Sequence, residues 1–214
     1  MIYELRIYTL VPGTQAEYVK LSGEVGRQIR GDRYGKLEGS WTSEFGTLNQ
    51  YVHLWSFADP NERARLRQAL AKDEAWTKEY VPRSRPMVLA QENKILHPVD
   101  GVPLTPPIGG ERHVYELRQY RTHTGKAPEW LGHFKEGLKA REKYSKIVGL
   151  WSTDIGPLNQ VVHLWAYSDL NHRAEVRAKV MQDPEWKAFL AKGYPLLAEM
   201  QSVILAPTDF SPLK

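Results

Sequence analysis

Two copies of one α+β domain, each with the element order βαββαβ, are what this sequence predicts, and three observations carry the expectation. Residues 41–57 read WTSEFGTLNQYVHLWSF and residues 151–167 read WSTDIGPLNQVVHLWAY, so a Trp, a Gly, Leu-Asn-Gln and Val-His-Leu-Trp return after 110 residues. Upstream, Tyr3-Glu4-Leu5-Arg6 returns as Tyr115-Glu116-Leu117-Arg118 at an offset of 112, so the copies differ by about two residues between these landmarks. Downstream, Asp59, Asn61, Arg63, Ala64 and Trp76 return as Asp169, Asn171, Arg173, Ala174 and Trp186. A repeat of roughly 100 residues is domain-sized and far exceeds the period of a solenoid.

Each element follows from its residues. Ile2 to Thr9 alternates and reads as a strand, stopped by Pro12-Gly13. Tyr18, Leu21, Val25 and Ile29 then form one helical stripe. Two β-rich runs, Gly39 to Phe45 and Gln50 to Phe57, flank Gly46-Thr47-Leu48-Asn49, which suits a hairpin loop. Asp59-Pro60-Asn61-Glu62 offers a capping carboxylate, Pro at the first helical position and Glu three residues after the cap, and opens the second helix. Asp73, and Asp183 with Pro184-Glu185, read as fresh caps at which that helical region breaks. A last strand spans Met87 to Leu96, with Val203 to Ala206 as a shorter partner in the second copy.

This order is the ferredoxin-like, split βαβ unit, whose antiparallel sheet carries both helices on one face. The expected division is 1–98 for the first repeat, 99–111 for a linker and 112–214 for the second repeat, because His97 to Gly110 holds four Pro and three Gly without periodicity. Along the strands Leu5, Ile7, Val52 and Leu54 share one face; Glu4, Arg6, Tyr8, Tyr51, His53 and Trp55 share the other. The apolar set is expected to meet the helices and the polar and aromatic set to line the uncovered face, with Glu116, Arg118, Tyr120, His163 and Trp165 repeating it in copy two. Two such faces brought together would enclose a chamber.

Composition excludes several classes. A chain of 214 residues, 42% hydrophobic and 25% charged, can bury a core, and no apolar run approaches 18 residues. With no secretory n- and h-region, a cytoplasmic location is expected. The net charge of +4 is spread along helices with interleaved acids, so no nucleic-acid partner is expected. There is no Cys, and His113, His123 and His133 lack ligand spacing, so no metal site is expected. Phosphate-loop, dinucleotide, nucleophile-elbow and zinc-protease signatures are all missing, which leaves His, Glu, Arg and Tyr to do any chemistry.

Glu4 to Tyr8 as Glu-Leu-Arg-x-Tyr, Gly46 to Trp55 as Gly-x-x-Asn-Gln-x-x-His-Leu-Trp, and Gln91 to Pro98 as Gln-Glu-Asn-Lys-Ile-Leu-x-Pro resemble the NIPSNAP family, and the likeness covers both copies. Copy two departs at its end, where Met200 to Pro207 lacks Gln-Glu-Asn. The resemblance implies two ferredoxin-like repeats forming a dimeric α/β-barrel-like assembly. It implies no reaction, and it links animal relatives with mitochondria and vesicle traffic.

The candidate ligand-binding residues are therefore Glu4, Arg6, Tyr8, Tyr51, His53, Trp55, Glu116, Arg118, Tyr120, His163 and Trp165, with His53 and His163 as candidate general bases. The plainer reading of each Glu-Arg pair is an internal ion pair, that of each His a hydrogen-bonded core residue, and that of Trp41, Trp76, Trp151 and Trp186 packing. Asn49-Gln50 suits the hairpin backbone. The sequence leaves open a small-molecule binder, a cofactor-free monooxygenase or isomerase, a haem binder with His53 or His163 as axial ligand, and a non-catalytic scaffold in a homo-oligomer.

Overall fold

The computed structural model describes residues 1–108 and 112–214. The last three residues of the expected linker, 109–111, lie outside the described residues. The chain divides into two compact units, Met1–Leu96 with Ala206–Lys214, and His97–Leu205.

Unit 1 runs β1 (Ile2–Leu10), α1 (Gln15–Leu21), a π-helical turn (Ser22–Gly26), α2 (Arg27–Arg30), β2 (Lys36–Phe45), β3 (Gln50–Phe57) and α3 (Pro60–Leu70). A second π-helical turn (Trp76–Tyr80), α4 (Val81–Ser84) and β4 (Val88–Pro98) follow. Its sheet is antiparallel in the order β4-β1-β3-β2. In the second copy β5 (Val114–Thr122), α5 (Ala127–Arg141), β6 (Ile147–Ile155), β7 (Gln160–Tyr167), α6 (Leu170–Val180), α7 (Pro184–Gly193) and β8 (Leu197–Pro207) give the sheet order β8-β5-β7-β6. Each unit is the expected ferredoxin-like arrangement.

Local chemistry explains the joints. The Asp59 carboxylate accepts from the Glu62 N–H at 2.8 Å, and the Glu62 carboxylate accepts in turn from the Ala58 N–H at 2.6 Å, a reciprocal cap. Asp183 accepts from the Glu185 and Trp186 N–H groups at 2.9 and 3.1 Å and starts α7. Each hairpin turns on an Asn with positive φ, Asn49 at 55° and Asn159 at 57°, a conformation that Asn tolerates better than bulky residues. At Gly39 and Gly149 the register slips against β3 and β7. A Cβ there would lie 2.1 Å from the Trp41 or Trp151 ring, so both tryptophans pack directly on bare backbone.

Two expectations change. β8 spans eleven residues and matches β4 in length, where only Val203 to Ala206 was expected. Ala198 to Ser202 is exposed and mostly polar, so no alternation marks it, while backbone pairing with β5 carries the strand. The expected stripe from Tyr18 to Ile29 does not form one regular helix, because the π-helical turn interrupts it.

Segments beyond each last strand are anchored. In unit 1, the Thr208 N–H donates to the Ser40 carbonyl at 3.0 Å and the Ser40 N–H donates to Ser211 Oγ at 3.0 Å. In unit 2, the Val99 N–H donates to the Leu150 carbonyl at 3.1 Å and the Thr105 N–H to the Val148 carbonyl at 2.8 Å, and Val102 is buried. Among the described residues no helix is long and apolar enough to cross a membrane.

Candidate functional site

The two faces of each sheet are used in the opposite sense to the sequence expectation. Glu4 pairs across β1 and β3 with Trp55, Arg6 with His53 and Tyr8 with Tyr51, so these six side chains share a face. That face meets the helices: Arg63 and Arg67 of α3 reach Glu4, and Tyr8 and Tyr51 pack with Tyr18, Leu21 and Tyr80. The apolar Leu5, Ile7, Val52 and Leu54 lie on the other face, and all four are buried. The physical reason lies in the helices, whose sheet-facing sides carry Arg30, Arg63, Arg67, Tyr18 and Tyr80 and so match a polar, aromatic sheet surface. The chamber expected on the uncovered face is instead a separate cavity under the helices of each unit, with His53 in one and His163 in the other.

In unit 1 the cavity measures about 590 Å³ and is lined by Arg6, Tyr8, Tyr18, Ser22, Arg30, Tyr51, His53, Trp55, Arg67, Trp76 and Tyr80 among others. Glu4 is fully buried beside it and is held by Arg6 and Arg63, each at 2.7 Å on Oε1, with Arg67 at 3.9 Å. Burial pushes the Glu4 pKa up, but the Arg63 hydrogen bond and the charges of Arg6, Arg67 and Arg63 outweigh it and hold the carboxyl below its usual value. Its Oε2 has no hydrogen-bond partner. Arg6 also donates from Nε to the Tyr8 hydroxyl at 2.7 Å.

The histidine has a fixed tautomer. Trp55 Nε1, which can only donate, lies 2.7 Å from His53 Nδ1, so Nδ1 accepts and the proton sits on Nε2. Trp165 and His163 repeat this at 2.7 Å. Burial first, and then Arg6, Arg30 and Arg67, push the His53 pKa well below its ordinary value; burial and Arg118 do the same at His163. Both rings are neutral donors at Nε2, and neither Nε2 has a partner. In this tautomer Nε2 offers a ligand a hydrogen-bond donor and has no lone pair free for iron, so the residues present do not fit a haem axial ligand.

Arg30, which sequence reasoning missed, lies with its guanidinium carbon 3.3 Å from the Trp55 ring centre and donates to the Tyr34 carbonyl at 3.1 Å. Its Nε is buried without an acceptor. Burial and then the nearby Arg67 charge push its pKa down to about 9. The signal that could have found it is its counterpart Arg141, 4.2 Å from the Trp165 ring centre.

Unit 2 builds the same frame and fills it. Arg118 and Arg173 hold Glu116 Oε1 at 2.9 and 2.6 Å, the Ser202 hydroxyl donates to it at 2.7 Å, and the Tyr167 hydroxyl donates to Oε2 at 3.4 Å. Arg118 also donates to the Tyr120 hydroxyl. Trp130 stacks on Phe134 at 4.8 Å, and Phe189 meets both edge-on, leaving a pocket of about 100 Å³. Tyr18, Ser22 and Tyr80 stand in unit 1 where Trp130, Phe134 and Phe189 stand in unit 2. Of the tryptophans read as packing, Trp41 and Trp151 are buried core, whereas the half-buried Trp76 and Trp186 line the two cavities.

The comparisons agree with the motifs. The NIPSNAP family profile matches residues 3–103 and 115–212. Protein NipSnap homolog 3A of Homo sapiens is 32% identical over all of this chain and 86% of its own length, and Protein NipSnap homolog 1 of Danio rerio is 33% identical over all of this chain and 77% of its own. A crystal structure from Lactobacillus acidophilus, provisionally described as a monooxygenase, covers 100% of this chain and 98% of its own at a TM-score of 0.68 and 14% identity. That likeness is one of fold alone. With both repeats matched by the profile and full-length relatives above 30% identity, the chain belongs to the NIPSNAP family.

Proposed function

We propose that this protein binds a small molecule in the cavity of unit 1, with unit 2 serving as the filled, structural copy. The observation that supports this reading is the contrast in volume, about 590 Å³ against about 100 Å³, between cavities built on the same Glu-Arg-Tyr and His-Trp frame. A cavity of several hundred Å³, lined by aromatic rings with a few fixed polar groups, is the usual form of a ligand site. Emptying a core costs stability unless something occupies it. The candidate residues Glu4, Arg6, Tyr8, Tyr51, His53 and Trp55 would hold and orient the ligand. Glu116, Arg118, Tyr120, His163 and Trp165 would serve the fold, which is where the scaffold reading finds support.

The test is a refilling substitution, Ser22→Phe, which copies Phe134 into unit 1. Titration with the neutral fluorophore N-phenyl-1-naphthylamine should show saturable binding in the parent and at least a tenfold loss in Ser22→Phe. Equal affinity in both proteins would contradict the reading.

A further inference from the structure

The charge around the unit 1 cavity does not balance. Arg6, Arg27, Arg30, Arg67 and Arg85 line it, Arg63 stands behind Glu4, and no Asp or Glu appears among the described lining residues. Among the described residues, Glu4 is the one carboxylate that Arg6, Arg63 and Arg67 reach at 4 Å or less, and Arg27 pairs with Asp32 at 2.8 Å. Arg30 carries this imbalance furthest: it is buried, stacked on Trp55, bonded to a single carbonyl, and its Nε has no acceptor. A buried charge without a counter-ion is costly, and a guanidinium satisfies itself best against a planar anion.

The second copy shows what is missing. There Arg141 donates to the Tyr167 hydroxyl at 3.0 Å and to Ser145 Oγ at 2.6 Å, and the Tyr167 hydroxyl reaches on to Glu116. In unit 1 the residue in the place of Tyr167 is Phe57, so the hydroxyl that would occupy Arg30 and Glu4 Oε2 is absent. The same copy that lacks the bulky rings also lacks the internal partner of its buried arginine.

We infer that the unit 1 cavity takes an organic carboxylate with a flat aromatic body, its head group against Arg30 and Arg67 and its body among Tyr8, Tyr18, Tyr51 and Trp76. This rests on the binding reading above and deepens it by naming the ligand class. The bound head group supplies the acceptor that Arg30 lacks, and the rings provide an apolar, stackable wall that an inorganic anion would not use.

The experiment compares indole-3-acetate with the neutral indole-3-acetamide by calorimetry on the parent, Arg30→Met, Phe57→Tyr and the unit 2 control Arg177→Met, Arg177 being the counterpart of Arg67 beside the small unit 2 pocket. The acid should bind the parent at least tenfold more tightly than the amide. Arg30→Met and Phe57→Tyr should each remove most of that preference, and Arg177→Met should keep it. Phe57→Tyr keeps the aromatic ring and its packing, so it reads the charge argument even if Arg30→Met does not fold. Equal binding of acid and amide to the parent would overturn the anion assignment while leaving the cavity reading intact. No binding of either probe, together with no binding of N-phenyl-1-naphthylamine, would remove both. An acid preference that survives in Phe57→Tyr and Arg30→Met alike would also overturn the assignment.

Discussion

Units 1 and 2 carry the same six-residue polar sheet surface with one exception, Tyr51 against Val161, yet one covers it with small and hydroxylated helix residues and the other with stacked rings. The difference is one of helix geometry as much as side-chain size. From Tyr18 to Arg30 the first copy is one residue longer than from Trp130 to Arg141, and the extra residue is absorbed in the π-helical turn Ser22–Gly26. From Trp76 to Pro86 it is again one residue longer than from Trp186 to Pro195, and the turn Trp76–Tyr80 absorbs that one. Single-turn π-bulges inside helices are rare and recur at functional sites, and two of them beside one cavity set unit 1 apart from the packed core of unit 2.

The contrast can be broken by mutation, and the largest effect is expected where unit 2 is densest. Phe134→Ala removes a ring stacked on Trp130 and should cost about 4 kcal/mol, whereas Ser22→Ala at the matching place in unit 1 should cost about 1 kcal/mol or less; urea unfolding of both variants measures the difference. Arg6→Leu comes next. Glu4 keeps only Arg63 as a close partner after that change, so the cost should be about 3 kcal/mol, and Glu4→Leu in the same chain should recover much of it. Arg118→Leu should cost less, because Arg173, Ser202 and Tyr167 still hold Glu116.

What the units share gives smaller, matched effects. Gly39→Ala and Gly149→Ala each drive a methyl into a tryptophan ring and should each cost about 1–3 kcal/mol, within error of one another. Acid should weaken both units in the same way. His53 and His163 stay neutral when folded, with pKa values held below 6.5, so the unfolded chain takes up protons that the folded chain refuses. Stability is therefore fully present above pH 6.5 and is lost as the pH falls below it, at about 1.4 kcal/mol per pH unit for each histidine. A pH series on His53→Phe and His163→Phe should show the slope halved in each single variant, and an unchanged slope would mean that the rings are not refusing the proton.

Much of this was legible in the sequence. The duplication, the strand β3 from Gln50 to Phe57, the caps at Asp59 and Asp183, and the grouping of Glu4, Arg6 and Tyr8 with Tyr51, His53 and Trp55 follow from period-two alternation and capping chemistry, which act locally. The side of the sheet to which that group turns was not. Alternation separates two faces without saying which one the helices cover, and the deciding residues, Arg30, Arg63, Arg67, Tyr18 and Tyr80, belong to helices whose amphipathic pattern is blurred by charged side chains with long apolar stems. The length difference between the copies was visible, but its consequence, two π-helical turns beside one cavity, depends on where each extra residue is absorbed.

The most direct test of the account is the number of ligand sites per chain. Calorimetry with indole-3-acetate should give one site per chain, lost in Ser22→Phe and kept in Arg177→Met. Two equivalent sites, or one that survives Ser22→Phe and disappears in Arg177→Met, would contradict the claim that the first copy is the binding unit and the second its structural counterpart.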